Sequence, residues 1–380
     1  MLDFSLSDEQ LALIDAARRF TREHILPVAA ACDRRGEFPM ELLEAAWKAG
    51  LLSPTVPVRF GGCGLGELDN ALVCEELAYG CLGIEAALQC NALAATPILL
   101  AGSERLQREY LGRLAASPIL AAFATSEADV GTDVAAMRCR FERVGNDYVL
   151  NGQKAWITNA TLASFHVVFA TSDPKKRHEG IAAFVVERGT EGLTPGKPED
   201  KLGQRACDTA TLTLEDVKVP ASHLLAEEGK GFKLAMETFN QTRPAIAAAS
   251  AGLMRRCLDE CIAYAKERKT FGTAIASHQM VAAMLAEMSI RIEATQLLAR
   301  KASWSLDRGV RDPIASSAAK AFGADAAMQT ATDAVQIFGG CGYVREFPVE
   351  KLFRDAKLLQ IYEGTSQIQR VLIARQLVNR

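Results

Sequence analysis

Phe141-Glu142-Arg143-Val144-Gly145-Asn146-Asp147-Tyr148-Val149-Leu150-Asn151-Gly152-Gln153-Lys154-Ala155-Trp156-Ile157 is the stretch that decides the fold class. Phe141 to Val144, Tyr148 to Leu150 and Lys154 to Ile157 are short runs rich in aromatic and branched residues, as strands are. Gly145-Asn146-Asp147 and Asn151-Gly152 punctuate them, and Asn-Gly between apolar runs is a strong hairpin signal. Phe165 to Ala170, Ile181 to Val186 and the alternating Thr211-Leu212-Thr213-Leu214 continue the pattern, which ends at Val219-Pro220. A central domain of mostly antiparallel strands is expected, starting after Pro118.

Outward from this stretch the period becomes helical on both sides. Ser7-Asp8-Glu9-Gln10 fits a capping box, and Leu13, Ala16 and Phe20 follow at helical spacing. Glu41 to Ala49, Leu68 to Ala78, Glu85 to Leu93 and Arg105 to Leu114 read as further helices. From Gly231 the helical period returns, broken near Lys269 to Ser277, Arg308 to Pro313 and Phe338 to Pro348, which predicts about four long helices packed as a bundle. Met280, Met284, Met288 and Ile292 share one helical stripe, expected in the bundle core. The chain thus reads as α+β, mainly α, with domains over residues 1–117, 118–225 and 226–380.

Composition narrows the function classes. At roughly 150 residues per domain, 380 residues make two or three domains. Lysine plus arginine number 43 against 46 aspartate plus glutamate, a net charge of −3, so no basic field offers a nucleic acid a site. No stretch reaches the roughly 18 unbroken apolar residues of a membrane helix, and no membrane insertion is expected. The acidic start Met1-Leu2-Asp3-Phe4-Ser5-Leu6-Ser7-Asp8-Glu9 lacks a signal-peptide layout, so a cytoplasmic protein is expected. Ten cysteines form no C-x-x-C pair and the five histidines are scattered, which predicts free thiols and no metal site.

Gly61-Gly62-Cys63-Gly64-Leu65-Gly66 and Gly339-Gly340-Cys341-Gly342 lack the strand, G-x-G-x-x-G and helix context of a dinucleotide fingerprint. A helix-to-helix turn and a helix C-cap are the ordinary readings.

Several separate segments, in order and spacing, resemble the acyl-CoA dehydrogenase family, most nearly its medium-chain members. They are Asn151 to Asn159, Glu267-Arg268-Lys269-Thr270-Phe271-Gly272 with His278-Gln279, Gln336-Ile337-Phe338-Gly339-Gly340, Leu352 to Lys357, and Ile361-Tyr362-Glu363-Gly364-Thr365-Ser366-Gln367-Ile368-Gln369-Arg370. The resemblance implies a helical domain, a central β-barrel-like domain and a C-terminal four-helix bundle. It also implies FAD as cofactor, acyl-CoA as substrate, electron-transfer flavoprotein as the acceptor of electrons, and assembly as a homotetramer, a dimer of dimers.

By the same resemblance Glu363 is the base that removes the α-proton while the β-hydride goes to FAD, yielding a 2-enoyl-CoA. A free carboxylate is too weak for that proton, so both partners must shift: desolvation raises the carboxylate, and hydrogen bonds to the developing enolate lower the carbon acid. In the family those bonds come from the base residue's own N–H and a ribityl hydroxyl of FAD. Trp156 and Thr158 would lie against the flavin ring, with Phe123, Thr125 and Ser126 along its edge. Arg268, Thr270 and Phe271, with His278 and Gln279, would reach the pyrophosphate, and Thr365 and Gln367 also belong to the cofactor set. Gln336, Gly339 and Gly340 would hold the adenylate part of FAD in a neighbouring subunit. Thr132, Phe239, Asn240, Arg243, Tyr362 and Gly364 are the implied substrate residues.

The chain departs from the family at two places. Where T-E-P-G-A-G-S-D is common it has Ser126-Glu127-Ala128-Asp129-Val130-Gly131-Thr132-Asp133, and Asn240 stands where aspartate is frequent. Gly83 to Asn91, with polar Glu85 and Gln89, is expected to close the acyl pocket and leaves straight, branched, alicyclic and aryl acyl groups open. An acyl-CoA oxidase, and a catalytically silent acyl-CoA-binding protein of the same fold, are the competing readings.

Overall fold

Ser7 opens the first helix through a completed capping box: its hydroxyl accepts from the Gln10 N–H at 3.2 Å, and its own N–H donates to the Gln10 side chain at 3.1 Å. The computed structural model describes residues 5–379. Met1 to Phe4, part of the acidic start, and Arg380 lie outside the described residues. Helices α1 (Asp8–Phe20) and α2 (Leu26–Arg35), joined by a π-helical turn, lead to α3 (Glu41–Lys48), α4 (Glu67–Gly80), α5 (Leu82–Ala101), α6 (Glu104–Leu106) and α7 (Gly112–Ala116). Gly61 and Gly64 between α3 and α4 both take positive φ, as the turn reading requires.

The strands are β1 (Ala121–Ala124), β2 (Arg140–Val144), β3 (Asp147–Thr158), β4 (Phe165–Thr171), β5 (Ile181–Glu187), β6 (Leu193–Pro195), β7 (Thr209–Pro220) and β8 (Leu224–Leu225). They pair in the order β6-β7-β3-β2-β4-β5-β8, with β1 beside β4. The ladders are antiparallel except those of β4 with β1 and β2. Strand β4 is buried on both faces: Phe165, Val167 and Phe169 meet α5 and its neighbours, while Val168 and Ala170 meet Phe141, Tyr148 and Phe184.

One turn expectation fails. Asn151-Gly152 is no hairpin turn but lies inside β3, and the reversal is made by Gly145 and Asn146, across which Val144 pairs with Asp147. The register shifts at Asn151, whose side chain bonds Asp216 on β7. A Cβ on Gly152 would come within 2.7 Å of the Cys139 backbone, so the glycine serves a bulge and a close approach.

Helix α5 is the core element on which the domains meet. Asn91 bonds Ser53 and the Ile119 carbonyl and accepts from the Ala121 N–H at 2.7 Å, and Asn159 donates to the Ala87 carbonyl at 2.8 Å. By length and composition alone α5 could cross a membrane, yet it carries Glu85 and is largely buried within the chain.

The C-terminal region holds α8 (Gly231–Glu267), a short hairpin β9 (Lys269–Thr270) and β10 (Thr273–Ala274), α9 (Gln279–Asp307), α10 (Pro313–Phe338), α11 (Val349–Leu359) and α12 (Ser366–Val378). The fourth long helix of the sequence reading is thus two helices, interrupted at 360–365, the segment that carries Glu363. The methionine stripe is buried at Met288 and Ile292 and packed at Met284, but Met280 is 77% exposed at the helix start, against the core expectation. All ten cysteines are free thiols.

Candidate active site

Thr365 caps α12 by accepting from the Ile368 N–H at 3.2 Å, and the Ser366 N–H donates to the Gln360 carbonyl, so residues 360–365 form a closed turn. Within it Glu363 has φ +54° and Gly364 φ +88°. A positive φ at glutamate is uncommon and marks a turn held by its surroundings. The holding groups come from three helices. Arg243 Nε of α8 donates to the Glu363 carbonyl at 3.2 Å, Gln369 Nε2 of α12 donates to both turn carbonyls at 3.1 and 3.0 Å, and Lys320 Nζ of α10 donates to the Gly364 carbonyl at 2.6 Å.

The Glu363 carboxyl is aimed at α8, where the Thr242 hydroxyl donates to Oε2 at 2.6 Å. Burial raises its pKa above the ordinary carboxylate value, while the Thr242 hydrogen bond and the charges of Arg243 and Lys320 pull it back. Glu85, 2% exposed on α5, lies within electrostatic reach: burial, and to a smaller extent Glu363, push it up to about 8. Burial and the same two carboxyls raise the Tyr362 phenol. Gln89, one turn beyond Glu85, has a buried Nε2 without a partner among the described residues. Glu363, Tyr362 and Glu85 therefore form a part-buried group within electrostatic reach of one another.

A second group gathers on the sheet. Phe123 lies on β1 and packs against Phe169 and Phe239 at ring distances of 5.0 and 5.5 Å. The Ser126 carbonyl accepts from the Ala155 N–H, and the Thr125 carbonyl from Lys154 Nζ at 3.2 Å. Lys154 is fully buried and paired with Glu127 at 2.9 Å, whose carboxylate also accepts the Arg138 and Cys139 N–H groups. That pair fixes the 123–127 loop beside Trp156. The indole of Trp156 is 61% exposed at φ +61°, an apolar ring turned outward from a strained strand position. Such a bare aromatic face, bordered by the backbone of Thr125 and Ser126 and by Thr158, suits a planar ring and fits the isoalloxazine of FAD.

Arg268, Thr270, Phe271, His278 and Gln279 gather elsewhere, on the hairpin after α8. Thr270 and His278 share a hydrogen bond of 2.9 Å, and Phe271 is 98% exposed. At 1.5 Å per residue, Arg243 and Glu267 are about 36 Å apart along α8. Gln336, Gly339 and Gly340, all exposed, stand at that same far end, where Tyr264 of α8 stacks on Phe338 of α10 at 4.1 Å. Around Gly339 and Gly340 a Cβ would meet nothing within 4 Å. The expected cofactor residues thus fall into two sets at opposite ends of the bundle; Thr365 and Gln367 lie at the Glu363 end.

Of the expected substrate residues, Phe239 reaches the Phe123 ring, and Asn240 and Arg243 line a 340 Å³ cavity with Gln241, Leu372 and Gln376. Arg243 is buried and engaged with the turn rather than open. Thr132 is exposed, and Asp129 in the departing loop is paired with Arg138 at 3.3 Å.

Three family descriptions match successive parts of the chain: acyl-CoA dehydrogenase N-terminal domain over 7–118, middle domain over 122–217 and C-terminal domain over 229–378. The chain belongs to the acyl-CoA dehydrogenase family. A "Probable medium-chain specific acyl-CoA dehydrogenase 2, mitochondrial" of Caenorhabditis briggsae is 42% identical over 380 residues, covering 99% of this chain and 92% of that protein. Butyryl-CoA dehydrogenase from Megasphaera elsdenii superposes with a TM-score of 0.97 at 36% identity, covering 99% of this chain and 100% of the other. PigA, solved as an FAD complex, does so with 0.94 at 30% identity over 99% of each chain. In this acyl-CoA dehydrogenase family member, the sequence reading gave no role to Thr242, Lys320, Gln369 or the Glu127–Lys154 pair. Lys320 left one visible trace, a lone cation in Ser316-Ser317-Ala318-Ala319-Lys320-Ala321.

Proposed function

We propose that this protein is an FAD-dependent acyl-CoA dehydrogenase in which Glu363 is the base that takes the α-proton of the acyl thioester. The observation that carries this reading is the Glu363 carboxyl itself: part-buried, hydrogen-bonded by Thr242 at 2.6 Å, and set on a turn held by three helices. A carboxylate whose pKa burial raises is a stronger base than one in water, which narrows the gap to a carbon acid. FAD, when bound, accepts the β-hydride, so that the product is a 2-enoyl-CoA. Trp156, Thr158, Phe123, Thr125 and Ser126 orient and shield the flavin ring, and the Glu127–Lys154 pair keeps their loop in place. Thr132, Phe239, Asn240, Tyr362 and Gly364 line the substrate path, and Glu85 and Gln89 end the acyl pocket. Electrons then pass to electron-transfer flavoprotein.

The far-end set, Arg268, Thr270, Phe271, His278, Gln279, Gln336, Gly339 and Gly340, completes the FAD site of another copy of the chain, in a dimer of dimers. The length of α8 supports this, since one protomer holds the two sets about 36 Å apart. The protein works in the cytoplasm without membrane insertion, with domains over 1–117, 118–225 and 226–380.

Anaerobic titration of the yellow protein with straight, branched and cyclic acyl-CoAs tests the reading. Bleaching by at least one class is expected, and Glu363→Gln is expected to keep its flavin and lose bleaching. Near-normal reduction in that variant would refute the assignment of the base, and fast peroxide formation on reoxidation in air would move the enzyme to the oxidases.

A further inference from the structure

Lys320 stands in the middle of α10, 0% exposed, in a run of serine and alanine that offers its ammonium little solvation. A buried cation costs several kcal/mol unless bonded and charge-balanced. Its hydrogen bond goes to the Gly364 carbonyl, the peptide that follows Glu363, at 2.6 Å. The charged groups around it come from each packed element. Glu363 in the turn and Asp325 on α10 favour its charged form, Arg243 on α8 opposes it, and burial outweighs them all, pushing it down to about 8. Helix packing alone does not call for an amine here, because alanine or leucine fills such a place without the desolvation cost.

The geometry points to Lys320 as a positioning residue for the base: its ammonium pins the Gly364 carbonyl and thereby the positive-φ turn of Glu363. This rests on the reading of Glu363 as base. Two parts of the site depend on that turn. One is the direction of the carboxyl, which Thr242 engages from the opposite side. The other is the backbone around Glu363, which a strained φ would otherwise let relax. Arg243 and Gln369 hold the Glu363 carbonyl, but the charged hydrogen bond to the Gly364 carbonyl is Lys320's, and charge-assisted bonds are about twice as strong as neutral ones.

The test is the pH profile of flavin reduction by acyl-CoA under anaerobic single turnover, with Lys320→Met, Lys320→Arg and Glu363→Gln beside the wild type. Loss of the positive charge raises the base, so Lys320→Met is expected to move the acid limb upward by about one pH unit, the low end of the effect of a nearby opposite charge. The limiting rate of reduction at pH 7 is expected to fall about 10- to 100-fold, with the acyl-CoA Kd changed much less, and Lys320→Arg to restore most of the rate and of the profile. An infrared pH titration of the Glu363 carboxyl stretch, identified by its loss in Glu363→Gln, reads the same shift without turnover. Should Lys320→Met not accumulate as folded protein, Lys320→Gln, which removes the charge but keeps a neutral donor for the Gly364 carbonyl, stands in and is expected to shift the limb the same way with a smaller loss of rate. A profile and rate like wild type in Lys320→Met, or no shift in Lys320→Gln where it stands in, overturns the proposal. Glu363→Gln that still bleaches overturns the base assignment instead, so the two failures are distinct.

Discussion

The two ends of the C-terminal bundle are built in opposite ways from the same helices. At the Glu363 end, α8, α10 and α12 converge on one turn, and Arg243, Lys320 and Gln369 spend their donors inside the chain. At the Arg268 end, Arg268, Phe271, Gln336, Gly339 and Gly340 are all exposed. A group that must move a proton needs desolvation and fixed geometry, which a single chain supplies by packing; a group that grips a large anion needs open donors, which packing would consume. The closed end therefore draws its holding groups from one chain, and the open end leaves its donors exposed.

Breaking the closed end is expected to have the largest effect. Glu363→Gln should lower single-turnover flavin reduction by about 100- to 10,000-fold, the usual share of a general base, with visible absorbance retained. Next comes the support of the flavin-side loop: Lys154→Met leaves Glu127 buried without its cation and should cost about 3–5 kcal/mol in denaturant unfolding. A loss below 1 kcal/mol would mean that the Arg138 and Cys139 N–H groups suffice for Glu127. Arg268→Ala at the open end should weaken FAD retention about 10- to 100-fold, the value of a hydrogen bond to a charged group, with acyl-CoA bleaching of refilled enzyme little changed. Co-expression sharpens the comparison: mixed assemblies of Glu363→Gln and Arg268→Ala chains should contain some intact sites if sites are shared between chains, and none above the sum of the parents if they are not.

The last effect concerns Glu85 and shows in stability rather than in rate. Its folded pKa of about 8 lies above the ordinary 4.5, so from pH 4.5 to 8 the unfolded chain gives up a proton that the folded chain keeps, and stability falls as pH rises through that window. Glu85→Gln removes the fall: melting temperatures should match wild type near pH 5 and exceed it near pH 8.5. Equal melting temperatures at both values would show that Glu85 ionises normally in the fold.

Much of the architecture was legible in residue order, because strand alternation and helical period are local signals. The exceptions had tertiary causes. Asn151-Gly152 carries hairpin chemistry, but β7 offers Asn151 a partner in Asp216 and Cys139 crowds Gly152, so β3 runs on. Met280 continues the methionine stripe by spacing, yet it falls at the first turn of α9 where no neighbour covers it. Glu363, Trp156 and Arg268 were singled out only through segments that resemble a family. Thr242 lies between the expected substrate residues Asn240 and Arg243 with no local signal of its own, because only folding brings residue 242 within 2.6 Å of residue 363.

By itself the sequence determined the order helix, strand, helix, the near-neutral charge and the family, and it singled out Glu363 as the expected base, since each is written in neighbouring residues. Only the tertiary structure decided that the base turn hangs from three helices, that a buried lysine lies beneath it, and that the expected cofactor residues split between two ends of one bundle. Burial, hydrogen-bond geometry and the length of a 37-residue helix are relations between distant parts of the chain, and no local pattern encodes them.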